Sequence, residues 1–279
     1  YGLSEHRVGE ALRWQPRDSY ILSTKIGRLL HPQDPAKIDG GLFMRTLPFE
    51  PAYDYSYDGV MRSVEDSLQR LALQRIDVLL IHDVDHWTHG EAAVVDRYFA
   101  EVMEGGYRAM MKLREEGTIA AIGAGVNEWQ MCQRFAEAGD FNCFLLAGRY
   151  TLLEQESLDS FLPLCVERDI GIIIGGPLNT GILATGAVEG AYYNYAPAPP
   201  EIMAQVAKIE AVCRRHNVPL ATAALQFPLH HPAVSSVIPG ARTPSEITRN
   251  VETFAVDVPA DLWTELKAEG LLREDAPTP

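Results

Sequence analysis

Short apolar runs alternate with longer stretches of helical periodicity along the chain, and that alternation restricts the fold more than any other feature. The runs IDVLLI (76–81), TIAAIGA (118–124), FNCFLLA (141–147), IGIIIG (170–175) and VSSVI (234–238) have strand length, and SYILST (19–24) supplies a sixth. Most are apolar at successive positions, as strands buried on both faces are. Helical spacing is predicted over 4–13, 58–73, 107–116, 128–138, 155–168, 201–216, 221–229, 244–251 and 260–269. Ser4 is placed to cap the first of these, and Val60, Val64, Leu68 and Leu71 form the apolar stripe of the second. Strands each followed by a helix imply a parallel sheet covered by helices, in one domain spanning 1–279 without a linker. Residues 28–57, rich in Pro, Gly and aromatics, read as a long functional loop over that scaffold.

Charge narrows the partners. Lys and Arg number 24 against 38 Asp and Glu, a formal net charge of −14. Such a chain is repelled by a polyphosphate backbone or an anionic membrane, so neither nucleic acid nor membrane is expected as a partner. No apolar run approaches the roughly 20 residues that span a bilayer. Cys132, Cys143, Cys165 and Cys213 contain no Cys-x-x-Cys pair and lie in periodic apolar segments, which reads as reduced core thiols in a cytoplasmic protein.

An open dinucleotide-binding sheet carries Gly-x-Gly-x-x-Gly after its first strand, and this chain has no such match. A closed barrel instead gathers its chemistry just after several strands, at one rim. Thr24-Lys25-Ile26-Gly27, His82-Asp83, Gly125-Val126-Asn127, Gly175-Gly176-Pro177 and Pro239-Gly240-Ala241-Arg242 occupy that position on five strands. Singly, Lys25 and Arg242 read as surface charges, His82 as a hydrogen-bonded structural residue and Asn127 as a helix cap. On one rim they read as a cleft. The run His82, Asp83, Asp85, His86 and His89 is read as solvated loop rather than a metal site, because ligands need converging geometry and supporting partners.

These residues, with HRVGEALR, STKIGR, SYDGVMRSVEDSLQRLALQRIDVLLIHDVD, GAGVNEW, GGPLNTGIL and IPGARTPSEITRN in that order, resemble the aldo-keto reductases. The wording is most similar to the family's D-threo-aldose 1-dehydrogenase (L-fucose dehydrogenase) branch. The resemblance implies a (β/α)8 TIM barrel that binds NAD(P) in an extended pose and uses Asp, Tyr, Lys and His in catalysis. Lys25 stands at the family lysine and His82 at the family histidine. It further implies cofactor contacts from Asn127, from Gly176, Pro177, Leu178 and Gly181, from the turn Gly240-Ala241-Arg242, and from Glu246 and Asn250. Val126 stands where the family has Ser, Ala147 where it often has Gln, and Gly175 where an aromatic often stacks on the nicotinamide.

The family pattern Tyr-Gly-x-Gly-x-Ser-Glu aligns on Ser4-Glu5 so that its tyrosine falls two positions ahead of Tyr1. Six strands are also two fewer than a closed barrel has. The expectation is therefore a barrel whose first β-α-β portion is not in this sequence, with Tyr1 as the acid only if two residues are deleted there. The expected function is NAD(P)-linked hydride transfer with a sugar C1 hydroxyl or a small aldehyde or alcohol. The alternative is a nucleotide-sensing regulatory subunit with little turnover. Both NAD and NADP are expected to bind, with Arg242 reading the 2′-phosphate of NADP. The thiol reading predicts four titratable cysteines in the denatured, unreduced protein; two would reveal a disulfide.

Overall fold

The computed structural model describes residues 2–41, 43 and 45–279. They form two compact units, one reaching to Gly125 and including Glu137–Asn142, the other comprising Val126–Ala136 and Cys143–Pro279. No described helix is long and apolar enough to cross a membrane. All four cysteines are free thiols, three of them buried.

The first unit begins with α1 (Leu3–Leu12), followed by β1 (Ser23–Ile26), β2 (Arg28–Pro32), β3 (Phe49–Tyr53), α2 (Tyr57–Leu71) and β4 (Val78–His82). Then come α3 (His86–His89), α4 (Ala92–Glu101), a π-helical turn at Val102–Gly106, α5 (Tyr107–Glu115) and β5 (Ala121–Val126). β1, β4 and β5 are parallel, with β4 between the other two. Helix α2 buries Val60, Val64 and Leu71 with Gly59, Ser63 and Ser67, so small hydroxyl residues complete the apolar stripe. Its cap is Ser56, whose hydroxyl accepts from the Gly59 amide at 3.1 Å. Helix α1 is not capped by Ser4 as expected. It starts one residue earlier, with Gly2 at the N-cap in the left-handed region (φ 82°). Gly9 lets α1 close on α2, since a Cβ there would lie 2.0 Å from the Leu71 carbonyl oxygen.

Two expectations shift in this unit. The strand predicted over 19–24 begins at Ser23, because Arg17–Ser19 turn as a 3-10 helix and Asp77 captures the approach. The Asp77 carboxylate accepts from the Leu22 amide at 2.7 Å and from Arg17 at 2.6 Å. Lys25 consequently lies within the strand rather than after it. The long loop of 28–57 contains a hairpin: β2 and β3 pair antiparallel from Arg28↔Tyr53 to Pro32↔Phe49.

The second unit holds α6 (Trp129–Ala138), β6 (Cys143–Ala147), α7 (Phe161–Glu167), β7 (Gly171–Gly175), α8 (Ile182–Thr185), β8 (Tyr192–Tyr193) and β9 (Ala196–Pro197). It continues through α9 (Pro200–Arg215), α10 (Leu220–Gln226), β10 (Val234–Ile238), α11 (Pro244–Phe254) and α12 (Ala260–Ala268). β6, β7 and β10 are parallel, with β7 central and its Ile172 and Ile174 fully buried. Helix α7 is shorter than 155–168 because Glu156–Leu158 form a separate 3-10 turn. β8 and β9 form a small hairpin turned by Asn194 and Tyr195, both at positive φ (49° and 62°), as a mirror-image two-residue turn requires.

Gly27 gives the fold a sharp test. It sits at φ 98°, and a Cβ would lie 2.1 Å from the ring of the fully buried Tyr55. The Gly27→Ala change combines left-handed strain with overpacking and is expected to cost about 2–4 kcal/mol, read from urea midpoints.

Candidate active site

In the first unit the strand register brings two of the expected residues to one face. Lys25 pairs with Leu80, so His82, two positions further along β4, projects to the same side. Ile26 and Ile81 pair one step on, take the other face and are buried. Burial lowers the Lys25 pKa; the Asp83 carboxylate opposes this and the Arg28 guanidinium adds to it. Burial likewise lowers the His82 pKa, opposed by its hydrogen bond to Asp83 and reinforced by the Lys25 charge.

Asp83 is the residue around which this cluster closes. Adjacent residues of a strand face opposite ways, yet the Asp83 carboxylate lies 3.2 Å from His82 Nε2. The chain achieves this by leaving the strand at Asp83 in the left-handed region (φ 51°), with its amide donating to the Gly125 carbonyl at 2.9 Å. The same carboxylate oxygen accepts from Arg28 Nη2 at 2.6 Å. Burial alone would raise the Asp83 pKa, but the His82 hydrogen bond and the Arg28 and Lys25 charges outweigh it and hold the group below the usual range.

Behind the cluster, the Tyr55 hydroxyl donates to the His82 carbonyl oxygen at 2.6 Å, and burial pushes its pKa far up. Tyr55 is therefore a brace for the end of β4, not a proton donor. The Arg28 guanidinium lies 5.3 Å from the Tyr53 ring centroid, where the quadrupole attracts it. On β1, Thr24 donates to Glu5 of α1 at 2.6 Å, and Arg70 of α2 holds the other Glu5 oxygen. Arg28 and Tyr55 were not among the expected site residues, and Gly27 and Asp83 were named only at strand ends, without a role. The pairing Arg28↔Tyr53 needs the hairpin, which no periodicity announced.

The run from His82 to His89 is not simply solvated loop. Asp85 is fully buried and caps α3, accepting from the Thr88 amide at 2.9 Å. His89 packs against Tyr53 and Tyr98, with both centroid separations 4.7 Å. Among the described residues no group of three or more His, Cys, Asp or Glu is arranged to hold a metal ion. Tyr1, the alternative acid, lies outside the described residues.

The second unit holds the other expected residues. The Asn127 carbonyl accepts from Arg149 Nε at 2.9 Å, and Arg149 Nη1 reaches Glu154 and Asn194, each at 3.2 Å. After β7, Gly176 takes φ 58° and Gly181 takes φ 103°, with Pro177 and Leu178 between them. Asn179 and Thr180 are also at positive φ (44° and 60°). Asn179 donates to the Gly148 carbonyl at 3.2 Å, while its own buried side-chain oxygen has no partner. A Cβ at Gly181 or Gly240 would meet no atom within 4 Å. At Gly240 neither packing nor a positive φ demands glycine, so the open backbone suits close approach of a ligand. Ala241 and Arg242 continue that exposed turn, and the Arg242 side chain is 90% exposed. Glu246 accepts from the Arg242 amide at 2.6 Å and from its guanidinium at 2.8 Å. Glu246 and Asn250 are the half-buried residues of the first two turns of α11.

The Asp83 cluster predicts a pH dependence. A carboxyl whose folded pKa is depressed contributes stability above its unfolded value and loses it as pH falls. The penalty of Asp83→Asn is expected to be largest near neutrality and to shrink as pH drops below the ordinary Asp value of 3.8. Urea unfolding of both proteins across that range measures it.

The sequence profile of the Aldo/keto reductase family matches residues 1–269. A pyridoxal 4-dehydrogenase of Microbacterium luteolum is 43% identical over 282 residues, covering 98% of this chain and 82% of the relative. A D-threo-aldose 1-dehydrogenase of a Pseudomonas species is 37% identical over 284 residues, covering 100% and 82%. The holo form of an aldo-keto reductase from Bacillus halodurans shares the fold, with a TM-score of 0.70 at 23% identity over 98% of this chain and 79% of that one. The chain belongs to the aldo/keto reductase family, oxidoreductases with an α/β fold of the (β/α)8-barrel class that use nicotinamide cofactors on small-molecule substrates.

Proposed function

We propose that residues 1–279 act as one domain of an NAD(P)-dependent dehydrogenase that oxidises the ring hydroxyl of a cyclic hemiacetal, such as C1 of a free aldose. The observation carrying this reading is the pairing of Lys25 with His82 on one face of adjacent parallel strands. The relatives' names add the substrate class. Aldoses and pyridoxal are hydroxy-aldehydes that close into hemiacetals, and oxidation of that hydroxyl gives a lactone. When bound, the nicotinamide supplies the hydride acceptor.

The chain's own residues do the rest. Lys25 is a half-buried ammonium whose field stabilises negative charge on the substrate oxygen. His82 orients that hydroxyl by a hydrogen bond from its ring. Gly176, Pro177, Leu178 and Gly181 form the bent, side-chain-poor segment that admits a cofactor, and Asn127 is placed to hold its carboxamide. Gly240 and Ala241 leave backbone open at the other end, with Glu246 and Asn250 beside them for the adenosine. Arg242 is placed for the 2′-phosphate, but Glu246 occupies its guanidinium. Both NAD and NADP are accepted for that reason.

Turnover with L-fucose, a panel of aldoses and pyridoxal, followed by NAD(P)H absorbance, tests the assignment. Cofactor binding without turnover on any of them would favour the regulatory-subunit reading. Lys25→Met and His82→Ala are each expected to lower turnover at least tenfold, a conservative figure for removal of an acid–base or orienting group. His82→Ala should leave the cofactor dissociation constant nearly unchanged. At the other end of the cofactor, Arg242→Ala should weaken NADP more than NAD. Glu246→Gln should do the reverse by releasing the guanidinium, and equal effects on both cofactors would remove Arg242 from phosphate recognition.

A further inference from the structure

We propose that Tyr195, at the tip of the β8–β9 hairpin, is a substrate-specificity residue whose ring packs against the apolar, non-reacting face of the hemiacetal. The inference rests on the dehydrogenase reading above and adds to it a contact for the part of the substrate that does not react.

A two-residue turn of this hand needs positive φ at both central positions, and glycine ordinarily fills the second. Here the pair is Asn194 and Tyr195, at φ 49° and 62°. Asparagine tolerates the left-handed region, but for a bulky side chain it is an outlier. Packing does little to offset that strain, because Tyr195 is 58% exposed. Two positions earlier the fold does use a tyrosine: Tyr193 is half-buried and its hydroxyl donates to Glu154. Tyr195 thus combines a strained backbone with a large ring left open to solvent, a combination that folding alone does not favour.

So short a hairpin cannot hold such a turn by itself, and three bonds fix it. The Tyr193 hydroxyl holds Glu154, the Asn194 side-chain oxygen accepts from Arg149 Nη1 at 3.2 Å, and the Tyr195 amide donates to Thr180 Oγ1 at 3.2 Å. The anchors lead to the two turns assigned above to the cofactor. Arg149 donates through Nε to the Asn127 carbonyl at 2.9 Å, and Thr180 lies between Asn179 and Gly181 in the segment after β7. The tip therefore spans from the Asn127 turn to that segment. Asn127 is the residue placed for the carboxamide, and the carboxamide adjoins the ring carbon that takes the hydride, so a group beside it meets substrate. The charges at the base of the tip are engaged with each other, Arg149 with Glu154 at 3.2 Å. What the tip offers is an aromatic ring. Its face is flat, apolar and electron-rich, which suits the weakly positive C–H bonds along one side of a pyranose. An open-chain aldehyde has no such side and gains nothing from it.

Glycine suits this φ better than tyrosine does, so Tyr195→Gly separates strain from function. Its urea midpoint is expected at or above that of the wild type. L-fucose and a panel of aldoses are then titrated calorimetrically into protein saturated with reduced cofactor, which cannot accept a hydride from them. Tyr195→Gly should raise the aldose dissociation constant about fivefold or more, the scale of one ring contact, while Tyr195→Phe stays within about twofold of wild type. Both variants should bind NADH and NADPH as the wild type does. In turnover the loss should fall on KM rather than kcat, since a contact to a non-reacting face is the same in the ground and transition states. An aldose affinity unmoved in Tyr195→Gly, a cofactor affinity that falls along with it, or a lowered urea midpoint would overturn the proposal. These outcomes would mean an idle ring, a ring on the cofactor and a structural ring, respectively. Aldose binding without turnover would sink only the assigned reaction, whereas aldoses that fail to bind the wild type would sink the substrate class and this contact together.

Discussion

The ion pair between Arg28 and Asp83 ties together parts of the first unit that the sequence keeps far apart. Arg28 opens the hairpin that follows β1, and Asp83 is the first residue beyond β4. Their 2.6 Å contact is largely shielded, with side chains about one-fifth exposed, so it resists screening better than a surface pair does. Removing one partner would leave the other partly buried and uncompensated. The same carboxylate holds His82, and His82 in turn receives Tyr55 on its carbonyl, with Gly27 making room for that ring. Hairpin, strand end and ring orientation therefore depend on one charged contact, and the histidine cannot be repositioned without disturbing the others.

What the sequence disclosed follows from which forces leave a local trace. Most of the parallel strands announced themselves by apolar runs, because burial on both faces is written into consecutive residues, whereas SYILST and VSSVI carry polar residues and form partly exposed strands. Strand edges were less legible. The run SYILST has strand composition throughout, yet Asp77, more than fifty residues away, accepts the Leu22 amide and delays the strand to Ser23. The β2–β3 hairpin left no mark because Pro32, Glu50 and Pro51 break any alternation, and its pairing comes from distant contacts. At the end of the π-helical turn a close approach requires glycine, since a Cβ on Gly106 would sit 2.6 Å from the Tyr55 carbonyl oxygen.

Site legibility divides in the same way. Lys25 and His82 could be named from motif and strand position, and the register then placed them on one face. Asp83 was visible as a strand-end residue and as a member of an acidic and histidine-rich run, without a role of its own. Its role depends on a single positive φ, which aspartate tolerates but which composition does not reveal. In the second unit the glycines at 176, 181 and 240 were legible as backbone freedom. The engagement of Arg242 by Glu246 was half legible: four residues apart on the start of a helix, the two were bound to be neighbours, but not to be paired.

Charge is distributed unevenly along the chain. The chain carries −14 overall, which disfavours anions at its surface generally. Around His82 the balance differs: the charges that act on its ring are those of Lys25, Arg28 and Asp83, two positive against one negative in a partly desolvated place. One positive charge suits an oxygen that becomes negative only during reaction, because its stabilisation grows as the proton leaves and is small for the neutral alcohol. Near Arg242 the charge is cancelled by Glu246, so an exposed anion gains little there until that pair opens. Within the second unit, the Arg242–Glu246 pair disfavours tight retention of an anionic ligand. That suits an enzyme that must release its reduced cofactor in every cycle.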